Sequence, residues 1–232
     1  MEKYSLPLQL MTIEPIAYFR SPMTSKFGIP RQSGIVEGLR GRIEFVGRYV
    51  HAEALHGLDD YDYLWLIWGF SENIGAEKHA TVRPPLLGGN KRMGVWATRS
   101  PYRPNNLGLS AVRIAHIDYH ACAIDVLGAD LMDGTPVYDV KPYLPYADSY
   151  PEARGGITDQ HQWHHLSVVV DEHVAHQLEP VDLRVLTEVL ALDPRPHYQD
   201  DPEREYGLPF MGRDVRFRVS NGVLYVLRWD KL

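Results

Sequence analysis

Short apolar runs punctuated by Gly, Pro and Asn fill the first two-thirds of the chain, a pattern that belongs to strands rather than to helices. It predicts strands over 13–19, 42–46, 63–69, 94–99, 110–117 and 121–127. In the third of these, Tyr63, Leu64, Trp65, Leu66, Ile67 and Trp68 are apolar on both faces, so a central strand with cover on each side is expected. Val112, Ile114 and Ile117 alternate against Arg113 and His116, as a half-exposed strand would. Strands this numerous with short links predict a small, closed or nearly closed antiparallel β-barrel over 12–150.

Over 148–160 the composition turns to Pro, Gly, Ser, Asp and Glu with almost no apolar periodicity, which predicts a linker or exposed loop. Beyond it the period changes. Leu166, Val169, Val170, Val174 and Leu178 fall at helical spacing, Pro180 interrupts, and Leu183, Leu186, Val189 and Leu190 resume it, predicting two short helices. Near the end, two alternating runs meet at Asn221-Gly222, a dipeptide suited to the positive φ angles of a type I′ hairpin turn. The expected fold class is mainly β, with a small antiparallel barrel followed by a small α+β domain over 160–232.

Composition narrows the function classes. With 232 residues and 44% apolar content, the chain fits one or two globular domains and excludes collagen-like, disordered and disulfide-scaffold proteins. Its longest apolar run, 63–70, is too short to span a bilayer, and no apolar core of signal-peptide length follows Met1, so a cytoplasmic address is expected. The single cysteine, Cys122, cannot form an internal disulfide and is expected as a small buried thiol. A net charge of −6 hides an uneven distribution. From Lys78 to Ile117 there is no Asp or Glu, yet Lys78, Arg83, Lys91, Arg92, Arg99, Arg103 and Arg113 all fall there. A basic surface on an acidic body orients polyanions, which points toward a phosphate-bearing partner unless these arginines pair with acids on neighbouring strands.

Common catalytic signatures are missing: no G-x-G-x-x-G after a strand, no Walker A loop, no nucleophile elbow and no H-E-x-x-H. His161, His164 and His165 form the only dense histidine group, and without acidic or cysteine ligands at fitting distances no metal is expected. Three segments are dense in residues that neither a core nor a solvated loop needs. In 25–32, Gly28 and Pro30 fix an irregular backbone that presents Arg31 and Gln32. In 99–110, two prolines stiffen a loop bearing Arg99, Arg103, Asn105 and Asn106, donors suited to carboxylate or base edges. In 130–148, Asp133, Asp139, Lys141, Tyr143, Tyr146 and Asp148 mix proton acceptors, a cation and stacking rings. Rigid polar loops at strand ends make good binding surfaces, because little entropy is lost on ordering a ligand.

Taken in order, Pro30-Arg-Gln32, Thr81-Val-Arg-Pro-Pro85, Leu87-Gly-Gly-Asn90, Arg99-Ser-Pro-Tyr-Arg-Pro-Asn105, Gly108-Leu-Ser110, Asp133-Gly-Thr-Pro136 and Lys141-Pro-Tyr-Leu-Pro145 resemble the TsaA-like tRNA methyltransferases, the TrmO family. Asp193-Pro-Arg-Pro196 with Tyr198 is similar to its longer bacterial members. The resemblance implies a β-barrel homodimer that uses S-adenosylmethionine to methylate N6 of threonylcarbamoyladenosine at position 37 of threonine tRNA, with the cofactor pocket near the subunit interface. By motif it implies cofactor contacts at Pro30, Arg31, Gln32, Arg99, Leu109, Leu131, Met132, Asp133 and Gly134. Ser71 and Glu72 stand where the family carries His-Gln, and are expected to contact the cofactor through their backbone.

Residue type and crowding then suggest Asp139 or Asp148 as acceptor of the N6 proton, with Tyr143 or Lys141 orienting the threonyl carboxylate. Lys91, Arg92 and Arg103 are expected on phosphates of the anticodon loop, and Tyr102 or Tyr146 on an unpaired base. Two other classes compete: a methyltransferase acting on a small molecule, and a module that binds cofactor or RNA without turnover.

Overall fold

The protein is described from a computed structural model that covers residues 11–89, 91–161, 163–195 and 201–232. Asn90, Pro196 and Tyr198 of the sequence motifs lie outside the described residues. In chain order the first region forms β1 (Ala17–Arg20), β2 (Arg40–Phe45), β3 (Tyr63–Gly69), the short hairpin β4 (Thr81–Val82) and β5 (Met93–Gly94), then β6 (Leu107–Asp118), β7 (Ala123–Leu127) and β8 (Pro136–Pro142). Six of these close a barrel in the order β1-β2-β7-β6-β3-β8, every pairing antiparallel. Period-two burial drives the closure: Leu64, Leu66 and Trp68 of β3 point inward to meet Phe19, Ile43, Val112, Ile124 and Val137 in one core, while Tyr63, Trp65 and Ile67 face out.

Close packing inside the barrel makes two glycines obligatory. A Cβ on Gly41 would lie 2.0 Å from the Phe19 ring, and one on Gly108 would lie 2.3 Å from the Trp68 indole. Gly108→Ala is therefore expected to overpack the barrel by about 1–3 kcal/mol, lowering the thermal midpoint by roughly 2–10 °C. A melting curve that matches the unsubstituted protein would contradict this packing.

Antiparallel order sends alternate connections to the same end. The links 21–39, 70–106 and 128–135 emerge at one rim, whereas 46–62, 119–122 and the chain beyond Pro142 emerge at the other. Single helical turns α1 (Pro145–Asp148) and α2 (Ile157–Gln160) interrupt an otherwise exposed connection. A second sheet follows, built from β9 (Ser167–Val170), β10 (Tyr206–Phe210), β11 (Arg213–Ser220) and β12 (Val223–Lys231) in the order β10-β11-β12-β9. Between β9 and β10 lie α3 (Glu172–Ala175) and α4 (Pro180–Ala191). Val185, Leu186, Val189 and Leu190 of α4 bury against Phe210, Phe217 and Leu224. That second core also takes in Met23, Val36 and Leu39 from the link between β1 and β2.

Several expected elements differ. Residues 94–99 are not a strand: only Met93–Gly94 pairs, with Thr81–Val82, and a 3₁₀ turn occupies Val95–Ala97. The helix expected from Leu166 is a strand over Ser167–Val170, parallel to β12, with Val169 outward and half exposed. Three consecutive β-branched valines favour the extended chain there, and the helix begins only after Asp171, whose side chain accepts from the His173 N–H as an N-cap. Strands β8 and β10 were not expected. Pro209 is tolerated in β10 because that strand lies at the sheet edge. Cys122 is buried, as expected, but sits in the turn before β7 at φ 50°. Asn221 and Gly222 carry the positive φ angles expected of their hairpin.

Candidate functional site

Three segments far apart in sequence meet at the first rim. The link from β1 presents Gln32, whose side-chain oxygen accepts a 2.5 Å hydrogen bond from the Arg99 guanidinium. The link before β8 folds back on the end of β1: the Asp133 carboxylate accepts from the Ser21 N–H at 3.0 Å, its N–H donates to Met23 O, and Gly134 N–H donates to Phe19 O. Gly134 has φ 76°, which lets the turn close here. Ser71 and Glu72 lie in a 3₁₀ turn on the same rim, pinned by Lys26 Nζ, which donates to Glu72 O at 2.9 Å and to Asn73 Oδ1 at 3.2 Å. Asn106, at φ 52°, ties the 99–106 loop to this turn by donating to Asn73 O at 3.1 Å and accepting from Phe70 N–H at 2.8 Å.

Beneath the rim runs a polar chain that sequence reading missed. Trp68 Nε1 donates to Ser110 Oγ at 2.9 Å, and Ser110 donates to Asp130 Oδ1 at 2.6 Å. Burial lifts the Asp130 carboxyl above its ordinary range, opposed by the Ser110 hydrogen bond, the Arg99 charge and the Ser33 N–H. An acid held above its unfolded pKa subtracts stability as pH rises from the unfolded value through the folded one. Asp130→Asn is accordingly expected to flatten the stability curve as pH rises above the ordinary carboxylate range, followed by denaturant unfolding. Parallel curves for the two proteins would contradict that assignment.

Leu109 and the expected catalytic residues are spread along the outer face of the barrel and past the end of β8. Leu109, 53% exposed, pairs with Ile67, and Ile67 pairs with Asp139, so these three form one row across β6, β3 and β8. Lys141 binds Asp139 at 2.8 Å, which raises the lysine pKa. Seven residues of β8 carry the chain roughly 20 Å, and Tyr143 and Asp148 lie beyond its far end. Tyr143 packs on Tyr63 and Trp65, with ring centroids 6.1 and 5.5 Å away. Asp148 accepts from the Leu144 N–H at 2.9 Å and from Trp65 Nε1 at 2.8 Å, and both bonds hold its pKa below the usual carboxylate range. Within one chain, Tyr143, Tyr146 and Asp148 therefore sit at the opposite end from Gln32 and Arg99. The cover expected over β3 reaches Trp65 and leaves Leu109 open.

Arg31, next to Gln32, faces the other way, with its guanidinium 3.6 Å from the centroid of the Trp163 ring. Burial lowers its pKa, and Asp193 opposes the shift. Leu131 is fully buried, whereas Pro30 is buried and Met132 partly so. In the acid-free stretch, Lys91 and Arg92 are exposed, and Arg103 donates to Thr98 O and Ser100 O at 3.1 and 3.3 Å with its guanidinium 5.9 Å from the Trp96 ring. Trp96, 73% exposed, joins the exposed Tyr102 there. Its position inside the strand expected over 94–99 hid it from the sequence reading. Among the described residues no group of three or more His, Cys, Asp or Glu is placed to hold a metal, and no helix is long and apolar enough to cross a membrane.

The tRNA-methyltransferase O N-terminal domain model matches residues 18–149, and the TrmO C-terminal domain model matches residues 164–231. The chain belongs to the tRNA-methyltransferase O family. It is 38% identical over 218 residues to the tRNA (adenine(37)-N6)-methyltransferase of Escherichia coli, covering 90% of this chain and 93% of that protein. A putative S-adenosylmethionine-dependent methyltransferase, RcsF, of Pseudomonas aeruginosa is 39% identical over 214 residues, 89% of this chain and 91% of that one. The crystal structure of TrmO from Pseudomonas aeruginosa superposes with a TM-score of 0.77 at 32% identity, covering 96% of this chain and 99% of the other. The TrmO fold is thus this chain's fold, a mainly β barrel with a small α+β domain behind it.

Proposed function

We propose that this chain transfers the methyl group of S-adenosylmethionine to N6 of threonylcarbamoyladenosine at position 37, in the anticodon loop of threonine tRNA. The observation that carries this reading is the meeting of Gln32, Arg99 and the Asp133 turn at one rim in a chain of this family. The donor set fits the cofactor: Arg99 supplies a forked cation for the methionyl carboxylate, while Leu109 and Met132 offer apolar surface to the adenine. Bound there, the cofactor supplies an electrophilic methyl on a sulfonium, which needs no metal. The chain's own work is to align the two reactants, worth on the order of 7–11 kcal/mol when near-attack geometry is reached, and to take up a proton.

Asp139 is the better placed acceptor for the N6 proton. It shares a row with Leu109 near the rim, whereas Asp148 is committed to Leu144 and Trp65 and held at lowered basicity. Lys141, bound to Asp139, then faces the threonyl carboxylate. A homodimer in which the outer faces of β3, β6 and β8 pack across a two-fold axis covers Leu109 and Ile67, and carries Tyr143 of one copy toward the rim of the other. The barrel region over 12–150 supplies the reaction, and the region over 160–232 accompanies it in the cytoplasm.

On the RNA side, Lys91, Arg92 and Arg103 face phosphates and Trp96 joins Tyr102 as a stacking surface. Lys91→Ala with Arg92→Ala is expected to raise KM for tRNA about 10-fold and to shallow its salt dependence, leaving cofactor affinity unchanged. A small-molecule methyltransferase would be indifferent to the pair. The substrate itself is tested with labelled S-adenosylmethionine and two tRNA preparations, one carrying the threonylcarbamoyl group and one lacking it. Label is expected in the first alone; equal label in both, or none in either, would overturn the substrate.

A further inference from the structure

Adjacent residues Arg31 and Gln32 reach in opposite directions, one to Trp163 of the second region and the other to Arg99 of the rim. The rest of their loop is gripped in the same way. Phe27 stacks on Phe217 with centroids 6.4 Å apart, and Phe27 and Ile29 pack against the second core that holds Met23. Met23 bridges to Phe210, and Met211 N–H donates to Pro22 O at 3.0 Å. Gly28, at φ 84°, lies so close that a Cβ would sit 2.4 Å from Leu208. On its other edge the loop is fastened to the barrel through Gln32 and through Gly34 N–H, which donates to Gly128 O at 2.8 Å. The loop therefore has the second sheet behind it and the barrel rim in front.

We infer that Trp163 is a positioning residue for the cofactor rim, acting through Arg31 to fix where Gln32 and Arg99 stand. This rests on the reading that Gln32 and Arg99 hold the cofactor. A guanidinium against an indole face, half withdrawn from water, is a strong and directional contact, and the Gln32 side chain in turn donates to the Arg31 carbonyl oxygen. Anchoring Arg31 thus sets the direction of Gln32. The second region then serves the methyl donor's site.

The test uses the full chain with Trp163→Leu, which keeps apolar bulk and removes the aromatic face, and Trp163→Phe, which restores a face. Two quantities are read: amide exchange over residues 26–34 in cofactor-free protein, and calorimetric binding of S-adenosylhomocysteine. Trp163→Leu is expected to speed exchange over 26–34 and weaken binding about 5- to 30-fold, and Trp163→Phe to recover most of both. Exchange and binding equal to the unsubstituted protein, or faster exchange with unchanged binding, would overturn the inference. Gln32→Ala and Arg99→Ala separate the two levels. If they weaken binding while Trp163→Leu does not, only the positioning role fails; if they also leave binding intact, the cofactor reading itself fails.

Discussion

Arg99→Ala raises KM for S-adenosylmethionine about 10- to 100-fold and leaves the fold intact. The magnitude follows from losing a hydrogen bond to a charged group, roughly 1.5–3 kcal/mol, where each 1.4 kcal/mol is about tenfold. Stability should hold because the guanidinium is exposed and donates to Gln32 at the surface of the rim rather than filling a core. Arg99→Lys keeps the charge but loses the fork, so it should fall between the two. Steady-state kinetics with varied cofactor at saturating tRNA measures it. An unchanged KM would mean that the methionyl carboxylate is held elsewhere.

A mixture of two impaired proteins regains activity at limiting cofactor. Arg99 and Tyr143 lie at opposite ends of one barrel, so a single site that uses both must draw them from two copies. Assayed with cofactor well below the raised KM, Arg99→Ala is expected to keep about one-tenth to one-hundredth of the rate, and Tyr143→Ala to be nearly inactive. Co-refolded in equal amounts they should recover about a quarter of the unsubstituted rate, because about half the dimers are mixed and one of the two sites in each is whole. No recovery, with mixed dimers demonstrated by mass, would place the whole site within one chain.

Which parts of this were legible beforehand depends on the range of the interactions that decide them. The apolar run of β3 and the Asn221-Gly222 turn are local, and each carried its own signal. Strand β8 was hidden because Asp139, Lys141 and two terminal prolines make an outward-facing strand look like a polar loop. Leu166, Val169, Val170 and Val174 satisfy a helical period on paper, but pairing with β12 selects the extended form, a contact between residues more than fifty positions apart. At the site, Gln32, Arg99 and Asp133 were visible as unusual residues in stiff loops. Asp130, Ser110 and Trp68 were not, since only closure of the barrel brings them into one chain of hydrogen bonds. Crowding in sequence also misled over Tyr143 and Asp148. They follow Asp133 closely along the chain, yet β8 carries them across the barrel to the far rim.

The central claim is methyl transfer from S-adenosylmethionine to the threonylcarbamoyl nucleoside beside the anticodon. Its most direct measurement is mass spectrometry of nucleosides from threonine tRNA, isolated with that modification in place and incubated with the protein and the cofactor. One added methyl on the threonylcarbamoyladenosine, fragmenting on the N6 side, is the predicted result. A methyl on any other nucleoside, or an unmethylated digest beside an active positive control, would contradict the account.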